Sequence, residues 1–277
     1  MEPLVPYEPA DLTEVLQFLE RPDGAHIYLA SRLSPPERGR GWIYREKAEM
    51  RGFGWIGAGR NVLLAGADDG FVRAMAEILA TEESAWVMIV GRWTPVSHIL
   101  DLYHRQTARR PRLDRSQKYY VQTRDTVSDL REPGLRRATP EDLDDLAAAA
   151  ARMSAEDFEI DLSNINRPAV RAAVEVKIAE ERSFVLRDRG ELIFKTDLAC
   201  RGPEGAQVEG VFTLESRRGR GIASRCLAEL GHRVLDTIPR VTLHVATRNH
   251  AARTAYENAG FRHEGELRLC IYPARRM

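Results

Sequence analysis

The chain has 277 residues, 43% hydrophobic and 30% charged, and its 41 basic and 41 acidic residues cancel to a formal net charge of zero. That length suits two ordinary domains or one large one, and the balanced charge argues against a global nucleic-acid or membrane footprint, both of which usually carry a basic excess. Three widely spaced cysteines, Cys200, Cys226 and Cys270, fit neither a disulfide framework nor a zinc-ligand spacing, so no metal is expected.

Met1 to Asp11 carries prolines and acids where a signal peptide has a basic stretch and an apolar run, and no apolar run is long enough to span a membrane. The expectation is a cytoplasmic bacterial protein, with the scarcity of lysine (Lys47, Lys118, Lys177 and Lys195) read as GC-rich codon use. The first half reads as mixed α/β. Apolar spacing predicts helices over 12–18 and 25–32, strands over 54–56 and 61–65, a helix over 70–79, a strand over 86–90, a helix over 96–104 and a closing strand over 119–122. Gly57-Ala58-Gly59 reads as a hairpin turn, because no second glycine pair opens a helix behind it. Gly91-Arg92-Trp93-Thr94-Pro95 likewise lacks the second glycine of a phosphate loop. The basic run Arg109-Arg110-Pro111-Arg112 reads as a solvated loop.

Pro133-Gly134 punctuates the chain and places a domain boundary between residues 130 and 131, giving domains 1–130 and 131–277. A short strand over 135–137 follows. Thr139 then caps a helix opened by Pro140, with acids favouring the dipole. Pro9-Ala10-Asp11-Leu12 resembles Pro140-Glu141-Asp142-Leu143, a hint that the two halves repeat. Beyond it the pattern predicts a helix over 168–181, strands over 184–187 and 192–199 joined by Asp188-Arg189-Gly190, and a strand over 207–214. A helix over 220–235, a strand over 241–246, a helix over 250–259 and a last strand over 267–272 complete the order β-α-α-β-β-β-α-β-α-β. Cys226 falls on the apolar face of its helix and reads as packing.

Chemistry concentrates where the strand ending at Thr213 meets the helix after Gly221. A glycine-containing turn at a helix start presents backbone N–H groups to an anion, and the glycines admit a phosphate close to the backbone. Arg218 and Arg220 add positive charge. Physics alone gives a phosphate-bearing ligand.

Arg218, Gly221 and Ala223 match the R/Q-x-x-G-x-G/A signature of GNAT-superfamily N-acetyltransferases. Asn249, Ala252, Tyr256, Gly260 and Phe261 follow at that family's spacing, with the expected strand between. The chain resembles two-part bacterial members of that family whose N-terminal domain is a possible degenerate GNAT-like repeat. The resemblance implies an α/β (α+β) fold with a mixed, mostly antiparallel, splayed sheet in the second domain. It implies acetyl-CoA as co-substrate and an amine acceptor, a small molecule or a protein amine. The amides of Gly219, Arg220, Gly221, Ile222 and Ala223 are expected on the pyrophosphate, with Arg218, Ser224 and Arg253 in the cofactor-binding set. The backbone of Val211, Phe212 and Thr213 is expected along the pantetheine arm, and Asn249 is expected to contact that arm or hold the splayed strand. Tyr256 stands where the family places the acid that protonates the thiolate. Many members carry a glutamate base where this chain has Gln207, so Glu209, two residues on and on the same strand face, and Asp197 on the neighbouring strand are the candidate bases. A structural ion pair of Lys195 with a carboxylate is the competing reading. Residues 154–167, with Glu156, Asp157, Glu159 and Asp161, are expected to link the first two helices of the domain, the segment that sets acceptor choice in the family; its acids read either as an attraction for a cationic amine or as a charged, solvated loop. The function implied is acetyl transfer by direct attack in a ternary complex; the alternative is an acyl-CoA-binding sensor that has lost turnover.

Overall fold

The computed structural model describes residues 4–20, 26–33 and 38–274. In chain order the elements are β1 (Val5–Pro6), α1 (Leu12–Leu19), α2 (Ile27–Leu33), β2 (Gly39–Glu46), β3 (Glu49–Gly57), β4 (Asn61–Ala65), α3 (Asp69–Thr81), β5 (Met88–Arg92), α4 (Trp93–Gln106) and β6 (Leu113–Gln122). They continue with β7 (Arg136–Arg137), α5 (Leu143–Phe158), α6 (Arg167–Ala179), β8 (Ser183–Asp188), β9 (Glu191–Gly202), β10 (Gly205–Thr213), α7 (Ile222–Val234), β11 (Val241–Ala246), α8 (His250–Asn258) and β12 (Arg262–Ile271).

The order β-α-α-β-β-β-α-β-α-β therefore occurs twice, and the pairings repeat with it. Strands β1–β2, β2–β3 and β3–β4 pair antiparallel and β4–β5 parallel. Strands β7–β8, β8–β9 and β9–β10 pair antiparallel and β10–β11 parallel. The local likeness of residues 9–12 to 140–143 is structural too. Each opens a 3-10 turn with a reciprocal capping box, Glu8 with Asp11 and Thr139 with Asp142, that satisfies otherwise orphaned helix-start donors. The first half thus repeats the topology of the second.

The chain divides into two compact units. Residues 1–119, 244–248 and 263–277 form the first, and residues 120–243 and 249–262 the second. The sequence boundary at 130/131 was a single cut, whereas the compact units interleave along the chain. In the first unit, α3 and α4 pack Phe71, Met75, Leu79, Ile99 and Tyr103 on Trp86, Ile89, Cys270 and Tyr272. Helices α1 and α2 pack Val15, Phe18, Leu29 and Leu33 on Phe53, Trp55 and Leu63. Strand β12 closes this unit by pairing antiparallel with β5, from Leu267↔Arg92 to Ile271↔Met88. In the second unit, α5 and α6 bury Leu146, Ala149, Val174 and Ile178 against Val185 and Leu192.

Several expectations change. Strand β2 was not foreseen, and Ala25, expected in the second helix, lies outside the described residues. Trp86 precedes its strand; it stacks edge-on to Tyr103 and Tyr272 and donates its indole N–H to the Leu79 carbonyl at 3.0 Å. The run at 109–112 is not wholly solvated. Arg109 is buried, with its guanidinium over Trp86 and Tyr272, donating to the carbonyls of Glu83, Trp86 and Pro273. Paired with three carbonyls and two ring faces, a buried guanidinium is stable there.

Candidate active site

A short 3-10 turn, Glu215–Arg217, follows β10, and α7 starts at Ile222. Between them Gly219 and Gly221 take φ of +75° and +69°, a region that glycine enters without the Cβ penalty. Gly221 caps α7 with no side chain to offer, and the N–H groups of Gly219 through Ser224 donate to no described residue. Three other helix starts are capped by a side chain, whereas the start of α4 at Arg92, like that of α7, is not. Asp68 accepts from Gly70 and Phe71 at the start of α3, Asn166 from Ala169 at α6, and Asn249 from Ala252 at α8. A Cβ at Gly219 would meet nothing within 4 Å, and one at Gly221 only the Arg225 Nη1 at 3.4 Å, so the loop is open on its outer side. Arg218 donates to the Thr213 carbonyl at 3.2 Å, and among the described residues neither Arg218 nor Arg220 forms an ion pair. Arg225 braces the loop from behind, donating to the Arg220 carbonyl and to Glu132, each at 3.0 Å. Unsatisfied N–H groups, the positive end of a helix and two arginines make an anion seat that fits a diphosphate.

The strand leading to the loop is irregular in a useful way. Pairing of β10 with β11 is limited to Ala206↔Val241 and Gln207↔Thr242, while β10 runs on to Thr213. On its other side the register shifts: Glu209 pairs with Asp197 and Phe212 with Lys195, leaving Gly210 and Val211 both opposite Thr196. This is a β-bulge, made possible by Gly210 at φ +63°. The bulge aims both Glu209 and Phe212 at the α5–α6 side, where Phe212 packs on the apolar cluster and Glu209 meets Lys177 of α6. Past Gln207, β10 offers backbone groups for an added extended segment.

Asp197 is the centre of a buried network. Ser183 donates to its Oδ1 at 2.8 Å, Lys195 to Oδ2 at 2.7 Å, and Lys177 reaches Oδ2 at 3.5 Å. Burial alone would raise this carboxyl, but the two ammonium groups and the serine outweigh it and hold the pKa below the usual range. Lys195 and Asp197 are thus an ion pair, the competing reading of the sequence. Lys177 was not singled out from the sequence; its signal is a cation between Val174 and Ile178 on the buried face of α6. Glu209 is more exposed, its side chain retaining 40% of its accessible surface.

Tyr256 lies on α8, 6% exposed, edge-on to Tyr120 and beside Phe261. Burial pushes its phenol well above the usual value, with Asp157 and Tyr120 adding to the effect, so the group is protonated at any physiological pH. Asn249 caps α8 through its Oδ1, which explains its place at the strand–helix junction. Arg253 donates to the Tyr120 hydroxyl at 3.3 Å. Cys226 is fully buried and its thiol is pushed up by burial, as packing requires. The segment after α5 is shorter than expected. The helix runs to Phe158, so Glu156 and Asp157 are helical, and Asp161 is spent capping the turn at Ser163.

The first repeat differs at the loop, the bulge and the tyrosine. The junction equivalent to the phosphate loop is Gly66-Ala67-Asp68, between β4 and α3, not residues 91–95. There the Asp68 carboxylate already holds the free N–H groups, and Asp69 adds a second negative charge. Strands β3 and β4 pair in unbroken register from Phe53↔Ala65 to Ile56↔Val62, without a bulge. Seven residues past the cap of α8 stands Tyr256; seven past the cap of α4 stands the buried Ile99. Among the described residues no cluster of His, Cys, Asp and Glu is placed to hold a metal, and no helix is long and apolar enough to cross a membrane.

Residues 153–261 match the acetyltransferase (GNAT) family. No curated protein matches the chain. Among solved structures, a GNAT-family acetyltransferase from Colwellia psychrerythraea aligns over 96% of this chain and 97% of its own, at 12% identity and a TM-score of 0.58. A Drosophila protein aligns over 99% and 100%, at 13% identity and a TM-score of 0.68. A tandem GNAT protein from the clavulanic acid biosynthesis pathway aligns over 99% of both chains, at 13% identity and a TM-score of 0.53. At these identities the likeness is one of fold, and it extends over both repeats. With the matched residues enclosing the bulged strand, the uncapped helix start and Tyr256, the C-terminal region of this chain is a domain of the GNAT acetyltransferase family.

Proposed function

We propose that the protein transfers an acetyl group from acetyl-CoA to an amine in a ternary complex at the second unit. The observation that carries this is the uncapped start of α7, where the N–H groups of Gly219 to Ser224 have no acceptor among the described residues. Those amides take the pyrophosphate, with Arg218 and Arg220 beside it. The backbone of Val211, Phe212 and Thr213 takes the pantetheine arm. The acceptor nitrogen attacks the thioester carbonyl, whose oxygen gains charge and accepts an N–H from β10 near Phe212. The carbon–sulfur bond breaks, and the thiolate takes the proton of Tyr256. Burial holds this phenol protonated, so it has the proton to give. Glu209 is the base for the amine, directly or through water. Asp197, with both oxygens engaged, holds the sheet beside it.

The test is thiol release from acetyl-CoA with a panel of primary amines: a polyamine, free amino acids, an aminoglycoside and a lysine peptide. Tyr256→Phe is expected to lower kcat about 100-fold with little change in acetyl-CoA affinity. Unchanged turnover removes Tyr256 from the chemistry. A second reading, a sensor without turnover, is favoured by Gln207 at the position where the resemblance places a glutamate. Tight CoA binding with no transfer to any amine supports that reading.

A further inference from the structure

The elements that hold Tyr256 in place include two residues from outside the C-terminal region as the sequence divides it. Tyr120 and Gln122 end β6, more than a hundred residues before α8, and both count with the second unit. Both are fully buried. The Tyr120 hydroxyl donates to Glu257 Oε1 at 2.8 Å and accepts from Arg253 Nε at 3.3 Å. Its ring meets Tyr256 edge-on, with centroids 6.3 Å apart and planes at 77°. Two residues further, Gln122 Nε2 donates to the Ala259 carbonyl at 2.7 Å, the residue that ends α8. Gly231 makes room for this amide, since a Cβ there would lie 2.3 Å from Gln122 Oε1.

Helix α8 is short and its own packing is thin: Tyr256 is its one buried side chain. A nine-residue helix has little intrinsic stability, so its axial position and rotation come from tertiary contacts. The end of β6 supplies them at Arg253 before the phenol, at Glu257 and Ala259 after it, and on the ring of Tyr256 itself. The geometry points to Tyr120 and Gln122 as positioning residues for acetyl transfer, which aim the Tyr256 hydroxyl at the thiolate by clamping α8. Neither touches substrate. The inference rests on the assignment of Tyr256 as the acid.

The experiment uses the full chain, acetyl-CoA and whichever amine of the panel turns over fastest. Tyr120→Phe keeps the ring and removes both hydrogen bonds. Its kcat is expected to fall about 10-fold with the acetyl-CoA KM unchanged, because a small misplacement of a reacting group is enough to slow the step. In a Tyr256→Phe background the same change is expected to cause no further loss, since its effect passes through the phenol. A general structural role predicts multiplied losses, and that result overturns the inference, as does an unaltered kcat or a loss confined to KM. Glu257→Gln, on the exposed side of α8, weakens the same hydrogen bond without touching the core. It is expected to give a smaller kcat loss with the same split, and serves if Tyr120→Phe does not fold; an unaltered kcat in that variant also overturns the inference. If Tyr256→Phe alone is without effect, it is the acid assignment that has failed.

Discussion

Gly221→Ala separates the two demands that the loop places on one residue. The backbone there has φ +69° and ψ +11°, a left-handed conformation that costs an L-residue roughly 1–2 kcal/mol. The added Cβ has room, its nearest neighbour being Arg225 Nη1 at 3.4 Å, so no clash adds to that figure. The variant should therefore fold, with Tm lowered by about 2–8 °C, taking about 2–4 °C per kcal/mol. CoA binding should suffer far more. A methyl group on the loop's open side keeps a phosphate from the amides, and losing two hydrogen bonds to a charged group removes about 3–6 kcal/mol. At about 1.4 kcal/mol per decade that is a rise in Kd of roughly 100- to 10,000-fold. Calorimetric titration with CoA measures it, and Gly202→Ala is the control, because a Cβ at Gly202 meets nothing and its φ is not left-handed. A folded Gly221→Ala protein that binds CoA within threefold of the parent would refute the loop as the phosphate seat.

Asp68→Ala removes the cap of α3 and should lower stability by about 1 kcal/mol in denaturant unfolding, leaving CoA affinity as it was. A loss of CoA affinity would mean that the first repeat takes part in cofactor binding. Asp197→Ala strands Lys195, a fully buried ammonium, and should destabilise by about 3–5 kcal/mol, with Lys195→Met plus Asp197→Leu recovering much of that loss. If Asp197→Ala folds as well as the parent but loses turnover selectively, Asp197 and not Glu209 is the base.

The second repeat was legible because its signals are local. The loop glycines, the helix cap at Asn249 and the alternation over residues 241–246 each act within a few residues. The first repeat was harder to read for physical reasons. Strand β2 buries three consecutive residues, Gly41, Trp42 and Ile43, with Tyr44 only partly covered, and Gly39 and Gly41 lie close against Trp55 and Tyr7, so no alternation shows. The first half of β6 is polar because its residues pair with charges far along the chain, Asp114 with Arg268 and Lys118 with Glu266. The likeness of residues 9–12 to 140–143 was a correct sign of duplication, resting on a shared capping box. The roles of Tyr120 and Gln122 left no trace in the sequence, and that of Lys177 only its place between Val174 and Ile178, since each is defined by a partner that only folding brings near.

The pairing of β12 with β5 has a consequence for biosynthesis. Cys270 and Tyr272 belong to the core built by α3 and α4, so the first unit cannot finish folding until β12 has been made. At ordinary elongation rates the ribosome needs roughly 10–30 s to travel from β6 to β12. Through that interval the β5 edge and the apolar residues around Ile89 await their last strand, exposed to misassociation. A stop codon shortly before β12 would therefore damage the half of the protein that was synthesised first.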